Sequence, residues 1–457
     1  MSVTMQTQLQ IKIIEEKILN QIILTKDQEE ACDKFKSFLL SDAKEFYLFG
    51  AAGCGKTFLV KYFINQVLKD FEKMSKVLGT EPIERIFITA TTNKAVEVLD
   101  QFKTDISNNN VSLKIGTIYS ILGVSVGENY SDGTTYLNFG KCDENFNNSI
   151  IIIDECSMLP KEMIRHIHYT FKNISNSKVI YIGDSFQLAP VNEKPHWDST
   201  PDVYTAKLSI PVRNAESQAL MDLCDQLRET VKTLEFKSIK LVPGIIELCD
   251  DNSVSDWLIN ADYSKSRVLC YTNHKAIKYI QWMEEKNNQT KFLRKNQIYI
   301  NNNGYIPDRT CSYYPDEMIQ ILEIKRGLIA QSPSKKYYFY AAKAKIQSLR
   351  NPRKISEVLI AVDPQEIKTK IRAAASNQDW IDYFYMQKEV MDLRLPYAST
   401  IHKSQGNTFD EVLIDLGSFR SCQDPEVAAR LLYVAVSRAR KKIKFYGKLP
   451  KKYGVLV

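Results

Sequence analysis

Through the first half of the chain, short apolar runs alternate with longer stretches whose apolar positions recur at helical spacing. The runs are Glu45-Phe46-Tyr47-Leu48-Phe49, Ile86-Phe87-Ile88-Thr89-Ala90, Ser149 to Ile153 and Lys178 to Asp184, each ending in small or polar residues. Strands separated by helices in this way predict an α/β fold with a doubly wound parallel sheet. The run Ile150-Ile151-Ile152-Ile153 needs burial on both faces and so predicts a central strand. A second α/β region starts near Arg267-Val268-Leu269-Cys270-Tyr271-Thr272 and resumes at Val412-Leu413-Ile414-Asp415. Between them, roughly from Asn288 to Leu395, the chain is rich in Tyr, Lys and Asn. That stretch carries strand-like runs at Met318 to Leu322 and Tyr337 to Tyr340, and a helical stretch from Lys368 to Val390. The predicted organisation is a first domain over 1–205, a second over 206–287 plus 396–457, and a β-rich accessory domain over 288–395 inserted in the second. No repeat of fixed period is visible.

Two motifs carry chemistry. Gly50-Ala51-Ala52-Gly53-Cys54-Gly55-Lys56-Thr57 fits the G-x-x-x-x-G-K-[ST] phosphate loop and lies between the first strand and a helical pattern running from Phe58 to Leu68. Glycines let successive N–H groups close around phosphate, and the helix N-terminus adds positive potential. Lys56 would bridge the β- and γ-phosphates of ATP, and the Thr57 hydroxyl would hold Mg²⁺. The isoleucine strand ends in Asp154-Glu155. Ligands bind at the C-terminal ends of such strands, so Asp154 belongs with Thr57 around the metal and Glu155 is placed to activate the attacking water.

The 457 residues are 44% hydrophobic and 25% charged, enough for two to four ordinary globular cores. A formal net charge of +7 suits a polyanionic partner without requiring one. The nine cysteines include no C-x-x-C pair and only five histidines accompany them, so neither a zinc site nor a disulfide framework is indicated and a reducing, intracellular setting follows. The stretch Ile11 to Leu19 is interrupted by charge and reads as a packed helix rather than a signal peptide, and no run is long enough to span a bilayer. Abundant Lys, Asn and Ile suggest an AT-rich genome, such as that of a phage or other virus.

Taken in order, the motifs resemble those of superfamily 1 helicases of the RecD/Dda branch, along nearly the whole chain. Leu24-Thr25-Lys26-Asp27-Gln28 is similar to the adenine-reading Q motif, and Thr89 to Ala95 to motif Ia. Gly116 to Leu122 resembles the next strand-contacting segment, with Tyr119 where relatives often carry His. Asp154 to Met158 looks like motif II, Gly183 to Val191 like motif III, Leu208 to Arg213 like motif IV, Ser399 to Gly406 like motif V and Tyr433 to Arg440 like motif VI. The resemblance implies two RecA-like P-loop NTPase domains, with a β-hairpin pin inserted in the first at about 123–147 and the accessory domain in the second. It implies Gln28 and Gly406 in the nucleotide set and Gln187 as γ-phosphate sensor. Arg213 and Arg438 would serve as cations completing catalysis from a second domain. Thr91, Thr92, Asn93, Thr117, Tyr119, Ser399, Thr400 and His402 match strand-contacting positions. For each Thr, a helix cap is the competing reading. The implied activity is ATP-driven 5′→3′ movement on single-stranded DNA with duplex unwinding, by a monomer in the cytoplasm, that of a host if the source is viral. Single-strand-binding or replisome proteins would be its partners besides a DNA fork.

The pin is read from Val124-Ser125-Val126 and Thr134 to Phe139 as two arms around Ser131-Asp132-Gly133, with Tyr136 or Phe139 meeting the fork; the competing reading packs both rings against the first α/β domain. Basic residues between Lys325 and Lys354 face no acid within that stretch; a solvated face is the commoner meaning of such a run, and the enclosed Tyr337 to Tyr340 give it the mixture a nucleic-acid surface needs. Cys54, beside Lys56 at a helix N-terminus, is expected to be either a reactive thiolate or a buried filler. An ATP-gated nucleic-acid clamp without unwinding, or a viral RNA helicase, would share the same motifs.

Overall fold

The computed structural model describes residues 24–51, 53–79, 81–100, 111–190, 193, 197, 204–210, 217–286, 293–302, 305–308, 311–313, 315–349 and 351–457. Ile11 to Leu19, Ala52 and Arg213 lie outside the described residues.

Among the described residues, the first sheet is built from β1 (Glu45–Gly50), β2 (Arg85–Ala90), β3 (Ser112–Thr117), β6 (Ser149–Asp154), β7 (Ser177–Gly183) and β8 (Thr205–Leu208). They are parallel in the order β3-β2-β6-β7-β1-β8. β6 sits inside this order, as its isoleucines require: Ile150 and Ile152 enter one core with α1 (Lys26–Leu39) and α2 (Lys56–Tyr62). Ile151 and Ile153 enter the other core, which includes residues of α6 (Lys161–Lys172). A π turn, Phe63–Val67, carries α2 into α3 (Leu68–Leu78). Two short helices, α4 (Asn93–Asp100) and α5 (Ile118–Ile121), follow β2 and β3. The expected boundary at 205/206 is too early, because β8 pairs with β1 from Tyr47↔Thr205 to Gly50↔Leu208 and closes that edge of the first sheet. Between α5 and β6, β4 (Val124–Glu128) and β5 (Thr135–Phe139) pair antiparallel as a two-stranded hairpin.

The second parallel sheet has the order β18-β10-β19-β20-β9, from β9 (Ile246–Cys249), β10 (Ser266–Cys270), β18 (Ala398–Thr400), β19 (Phe409–Asp415) and β20 (Ala439–Tyr446). One face packs against α7 (Gln218–Thr233) and α12 (Pro425–Ser437), the other against α8 (Asp251–Asn260) and α9 (Asn273–Lys286). Helix α12 starts cleanly, with Pro425 in its first turn and the Asp424 carboxylate accepting the Glu426 and Val427 N–H groups. Every residue from Ala428 to Val436 is buried. A helix apolar all round must be covered on all sides, and here the covering includes a loop of the first domain.

The inserted region forms an antiparallel sheet in the order β16-β15-β14-β11-β17, from β11 (Ile298–Asn301), β14 (Met318–Gln331), β15 (Tyr338–Ser348), β16 (Ile355–Ala361) and β17 (Leu393–Arg394). A short pair, β12 (Tyr305–Asp308) with β13 (Cys311–Tyr313), and two helices, α10 (Pro364–Ser376) and α11 (Trp380–Lys388), complete it. Tyr299, Ile319, Ile321, Ala344 and Ile346 share one core with Val268 and Cys270 of β10 and Met283 of α9 in the second motor domain, so the accessory sheet is fused to that domain. No described helix is long and apolar enough to cross a membrane.

Candidate active site and nucleic-acid interface

At the head of β1, Gly53 (φ 85°) and Gly55 (φ 78°) take left-handed backbone conformations that a side chain would strain. Alternation of this kind forms the concave nest that binds phosphate. Lys56 Nζ donates to the carbonyl oxygens of Gly50 (2.8 Å) and Ala51 (2.9 Å), which holds the ammonium against the loop. Thr57 and Asp154 line one small cavity with Ile88, Ile152 and Ile182. That cavity is apolar, lined also by Val60, Ile64 and Leu99, so it is a packing gap at which the two residues meet; their hydroxyl and carboxylate are hard oxygen donors of the kind that suit Mg²⁺. Desolvation, with the Glu155 charge beside it, pushes the Asp154 carboxyl above the usual range; hydrogen bonding from Glu155 N–H (2.9 Å) and the Lys56 ammonium oppose the shift.

Glu155 holds a left-handed backbone (φ 52°), unusual for a residue with a side chain, and its Oε2 is buried without a hydrogen-bond partner. Gln187 Oε1, Ser157 Oγ and Gln405 Nε2 are likewise buried and unpartnered. These residues come from motifs II, III and V. Buried polar groups without partners are costly, and a ligand supplies what they lack. Arg438, at the end of α12, is 4% exposed. Its guanidinium donates to Val434 O, Asn407 O and Ser437 Oγ. Burial lowers its pKa, and the Glu155 carboxylate is the strongest charge pulling it back. The first domain's acid thus acts on the second domain's arginine through its charge, while the guanidinium's hydrogen bonds all stay within the second domain. Gly406 (φ 75°) precedes Asn407 on the same turn.

Three residues or segments singled out in the sequence gain a structural setting here. Gln28 is 2% exposed; its Oε1 accepts the Thr25 N–H (3.1 Å) and its Nε2 donates to Cys54 O (3.3 Å). It caps α1 and ties that helix to the phosphate loop, with both ends of the amide engaged inside the protein. Cys54 is no exposed thiolate: it is 1% exposed, its Sγ donates to Ala51 O (2.8 Å), and burial raises its pKa more than Lys56 lowers it. A Cβ on Gly50 would fall 2.6 Å from that sulfur. The basic stretch 325–354 is also no continuous surface. Lys354 pairs with buried Glu317, Lys336 with Asp379, and Lys345 lies between Glu323 and Glu357 in the sheet, while Tyr337 and Phe339 are buried.

The two motor sheets present matching edges. β3 beside β2 and β18 beside β10 are neighbouring parallel strands, with Ala90 opposite Thr117 and Cys270 opposite Thr400. Just beyond them, Thr92, Thr117, Thr272 and Thr400 accept backbone N–H groups through their Oγ1 atoms at 3.1–3.4 Å. Four hydroxyl caps thus occupy corresponding places in two domains. Neither Thr272 nor Asn273 is among the strand-contacting positions expected from the sequence, although Thr272-Asn273-His274-Lys275-Ala276 echoes Thr92-Asn93-Lys94-Ala95. Asn93 opens α4, and Thr91 Oγ1 is buried without a partner. His402 is exposed, its ring 6.1 Å from that of Tyr271. Ser399 is 7% exposed within β18, and Tyr119 packs against the first domain's core. Thr117 and Thr400, at 9% and 6% exposed, are as buried as Ser399.

In the hairpin, Phe139 opposes Val124 at the base and its ring lies 4.4 Å from that of His166 on α6. Tyr136 opposes Gly127 nearer the tip and is 55% exposed. A Cβ on Gly127 would meet its ring at 2.5 Å. The tip reaches the accessory region: Glu128 pairs with Lys388, the Tyr130 and Phe384 rings meet edge to face at 5.5 Å, and Gly133 lies directly against Trp380.

A family described as AAA domain matches residues 36–193, and one described as UvrD-like helicase C-terminal domain matches residues 395–445. The chain carries a superfamily 1 helicase core. The enzyme class that follows is an ATP-dependent DNA helicase. This helicase core is similar over 503 residues, at 23% identity, to an uncharacterised protein of Acanthamoeba polyphaga mimivirus, covering 92% of this chain and 98% of that one. It is 24% identical over 449 residues to the ATP-dependent DNA helicase Pif1 of Campylobacter jejuni, covering 89% of each. The crystal structure of Pif1 helicase from Candida albicans aligns over 95% of this chain and 97% of its own, at 15% identity and a TM-score of 0.48.

Proposed function

We propose that the protein is a DNA helicase of the RecD/Dda branch that moves 5′→3′ on single-stranded DNA and parts duplex at the β4–β5 hairpin. The observation that carries this is the junction across the domain boundary, where α12, which ends at Arg438, bonds the segment from Asp184 to Gln187 through Arg430 and Tyr433, beside two strand edges with matching hydroxyl caps. A nucleotide in the loop would complete the catalytic set only when the domains are together. Lys56 and Arg438 would then offset charge on the γ-phosphoryl group and the departing bridging oxygen. Glu155 would take the proton of the water whose oxygen attacks phosphorus, and Gln187 would orient that water. Mg²⁺ bound by Thr57 and Asp154 would neutralise phosphate oxygens. Arg213 remains a candidate second cation.

Each turnover would close and reopen the cleft, altering the distance between the Thr92–Thr117 and Thr272–Thr400 edges, with His402 alongside. A strand held by its phosphates across both edges would advance by that change. Tyr136 is the fork-facing ring in this account and Phe139 the buttress. The direction rests on the motif resemblance, and the Pif1 relative supports DNA as the substrate. The mimivirus relative supports a viral setting, with work in host cytoplasm on replicating or recombining DNA.

Duplexes with a 5′ or a 3′ single-stranded tail test the proposal. Unwinding of the 5′-tailed duplex alone is expected. Unwinding of the 3′-tailed one alone would overturn the direction, and ATP turnover without any strand separation would favour a clamp.

A further inference from the structure

We infer that Arg430 and Tyr433 are positioning residues for ATP hydrolysis, which hold the motif III loop of the first domain onto α12 of the second so that Gln187 and Arg438 move as one unit. The inference rests on the ATPase reading above and adds the element that carries its sensor.

Strand β7 ends at Gly183, and the chain then leaves the first domain's packing. Leu188, 4% exposed, belongs to the second domain's hydrophobic cluster, and Phe186 packs against that same cluster. The Arg228 guanidinium and the Lys232 ammonium, both on α7, lie 5.1 and 5.5 Å from the centre of the Phe186 ring. Three polar groups of the loop find partners on α12. Tyr433 Oη donates to Asp184 Oδ2 at 2.6 Å. Arg430 Nη1 donates to Ser185 O at 2.6 Å and to Gln187 O at 2.8 Å, while its Nε holds Glu426 at 3.1 Å. Arg430 is 7% exposed and Tyr433 fully buried, so these are charge-assisted or buried bonds of the stronger kind. Within the loop, the remaining ties are local: Phe186 N–H to Asp184 Oδ1 and Gln187 N–H to Asp184 O.

The same helix runs on to Arg438, eight residues or roughly 12 Å beyond Arg430. A buried helix is stiff on that scale, so the motif III backbone and the arginine are two ends of one strut. Gly183 marks where the loop departs; a Cβ there would fall 2.7 Å from Cys156 Sγ and 3.3 Å from Ser157 N, against the motif II turn. Cleft opening would therefore swing Gln187 away with the second domain about Gly183, instead of tearing the loop from α12. Loss of nucleotide would remove the water-orienting amide and the arginine together, leaving no half-active state.

The test is steady-state ATP turnover with single-stranded DNA for Tyr433→Phe, Arg430→Gln and Arg430→Lys, beside hydrogen exchange of the 184–188 amides. Tyr433→Phe should lower kcat about tenfold with KM for ATP changed by less than about twofold, the pattern of a lost transition-state interaction. Arg430→Gln should fall further, and Arg430→Lys should recover part of the loss by keeping one cationic donor. Exchange at 184–188 should be slow in the wild-type protein and fast in Arg430→Gln. Wild-type kcat in Tyr433→Phe and Arg430→Gln, losses confined to KM, or unchanged exchange in Arg430→Gln would each overturn the latch. A wild-type protein without DNA-stimulated ATPase would sink the helicase reading instead, and the exchange result would still decide the latch.

Discussion

Replacing Tyr130 with Ala isolates the hairpin's support from everything at the nucleotide. The Tyr130 ring meets Phe384 edge to face at 5.5 Å, and its hydroxyl donates to Glu128 Oε2 at 2.6 Å, the carboxylate that also pairs with Lys388. An edge-to-face aromatic pair contributes about 0.5–1.5 kcal/mol and a hydrogen bond to a charged group about 1.5–3 kcal/mol. Tyr130 is 55% exposed, so both belong at the low end, roughly 1–2 kcal/mol together after solvent screening. A two-stranded hairpin is marginal alone, so a loss of that size lowers the equilibrium constant for hairpin docking by up to about tenfold. Unwinding of a tailed duplex should fall by about that factor, while DNA-stimulated ATP turnover stays within about twofold, since Tyr130 has no partner in the cleft. Tyr169→Ala, at a 79% exposed ring on α6, serves as the neutral surface control. Unchanged unwinding in Tyr130→Ala, or equal losses in unwinding and turnover, would refute the reasoning.

Glu155→Gln should bind ATP and turn it over at least about a hundredfold more slowly, because the amide keeps the shape but takes no proton; nucleotide binding and single-turnover hydrolysis check this. Tyr136→Ala should slow unwinding without altering the melting temperature, whereas Phe139→Ala should lower the melting temperature by removing the contact with His166; thermal melts beside unwinding assays separate the two. Asp27 accepts the Ser209 and Ile210 N–H groups. Burial raises its pKa, but hydrogen bonds from Thr25, Ile210 and Ser209 outweigh it, so the folded value lies below the unfolded one. Its contribution to stability is therefore present above the unfolded pKa, near 4, and lost as pH falls through the folded one. Melting temperature followed from pH 6 to 3 should decline less steeply in Asp27→Asn than in the wild-type protein.

The motor strands were readable because burial on both faces writes itself as unbroken apolar runs, as in Ile150 to Ile153. β8 was not, since Thr205-Ala206-Lys207-Leu208 is short and its place in the first sheet comes from pairing with β1. The phosphate loop and the Asp154-Glu155 pair were legible as local chemistry with fixed spacing. Cys54 stayed open between reactive thiolate and buried filler because neighbouring charge is visible in sequence while the direction of a side chain is not: its sulfur turns inward against Gly50, and it is the filler. The basic stretch stayed open between a solvated face and a nucleic-acid surface for a related reason, as its partners Glu317 and Asp379 lie outside it in sequence. Arg430 left no signal, being an arginine on an otherwise apolar helix whose partners are backbone carbonyls more than 240 residues away.

The central claim is that one ATP site is completed by a residue from each motor domain, and Arg438→Ala measures it most directly. Nucleotide affinity and single-turnover hydrolysis should be determined with and without single-stranded DNA. The account predicts ATP affinity within about threefold of the wild-type protein and a loss of about a thousandfold in the DNA-stimulated hydrolysis rate, the scale of an arginine supplied across a domain boundary. Near wild-type hydrolysis in Arg438→Ala would contradict it.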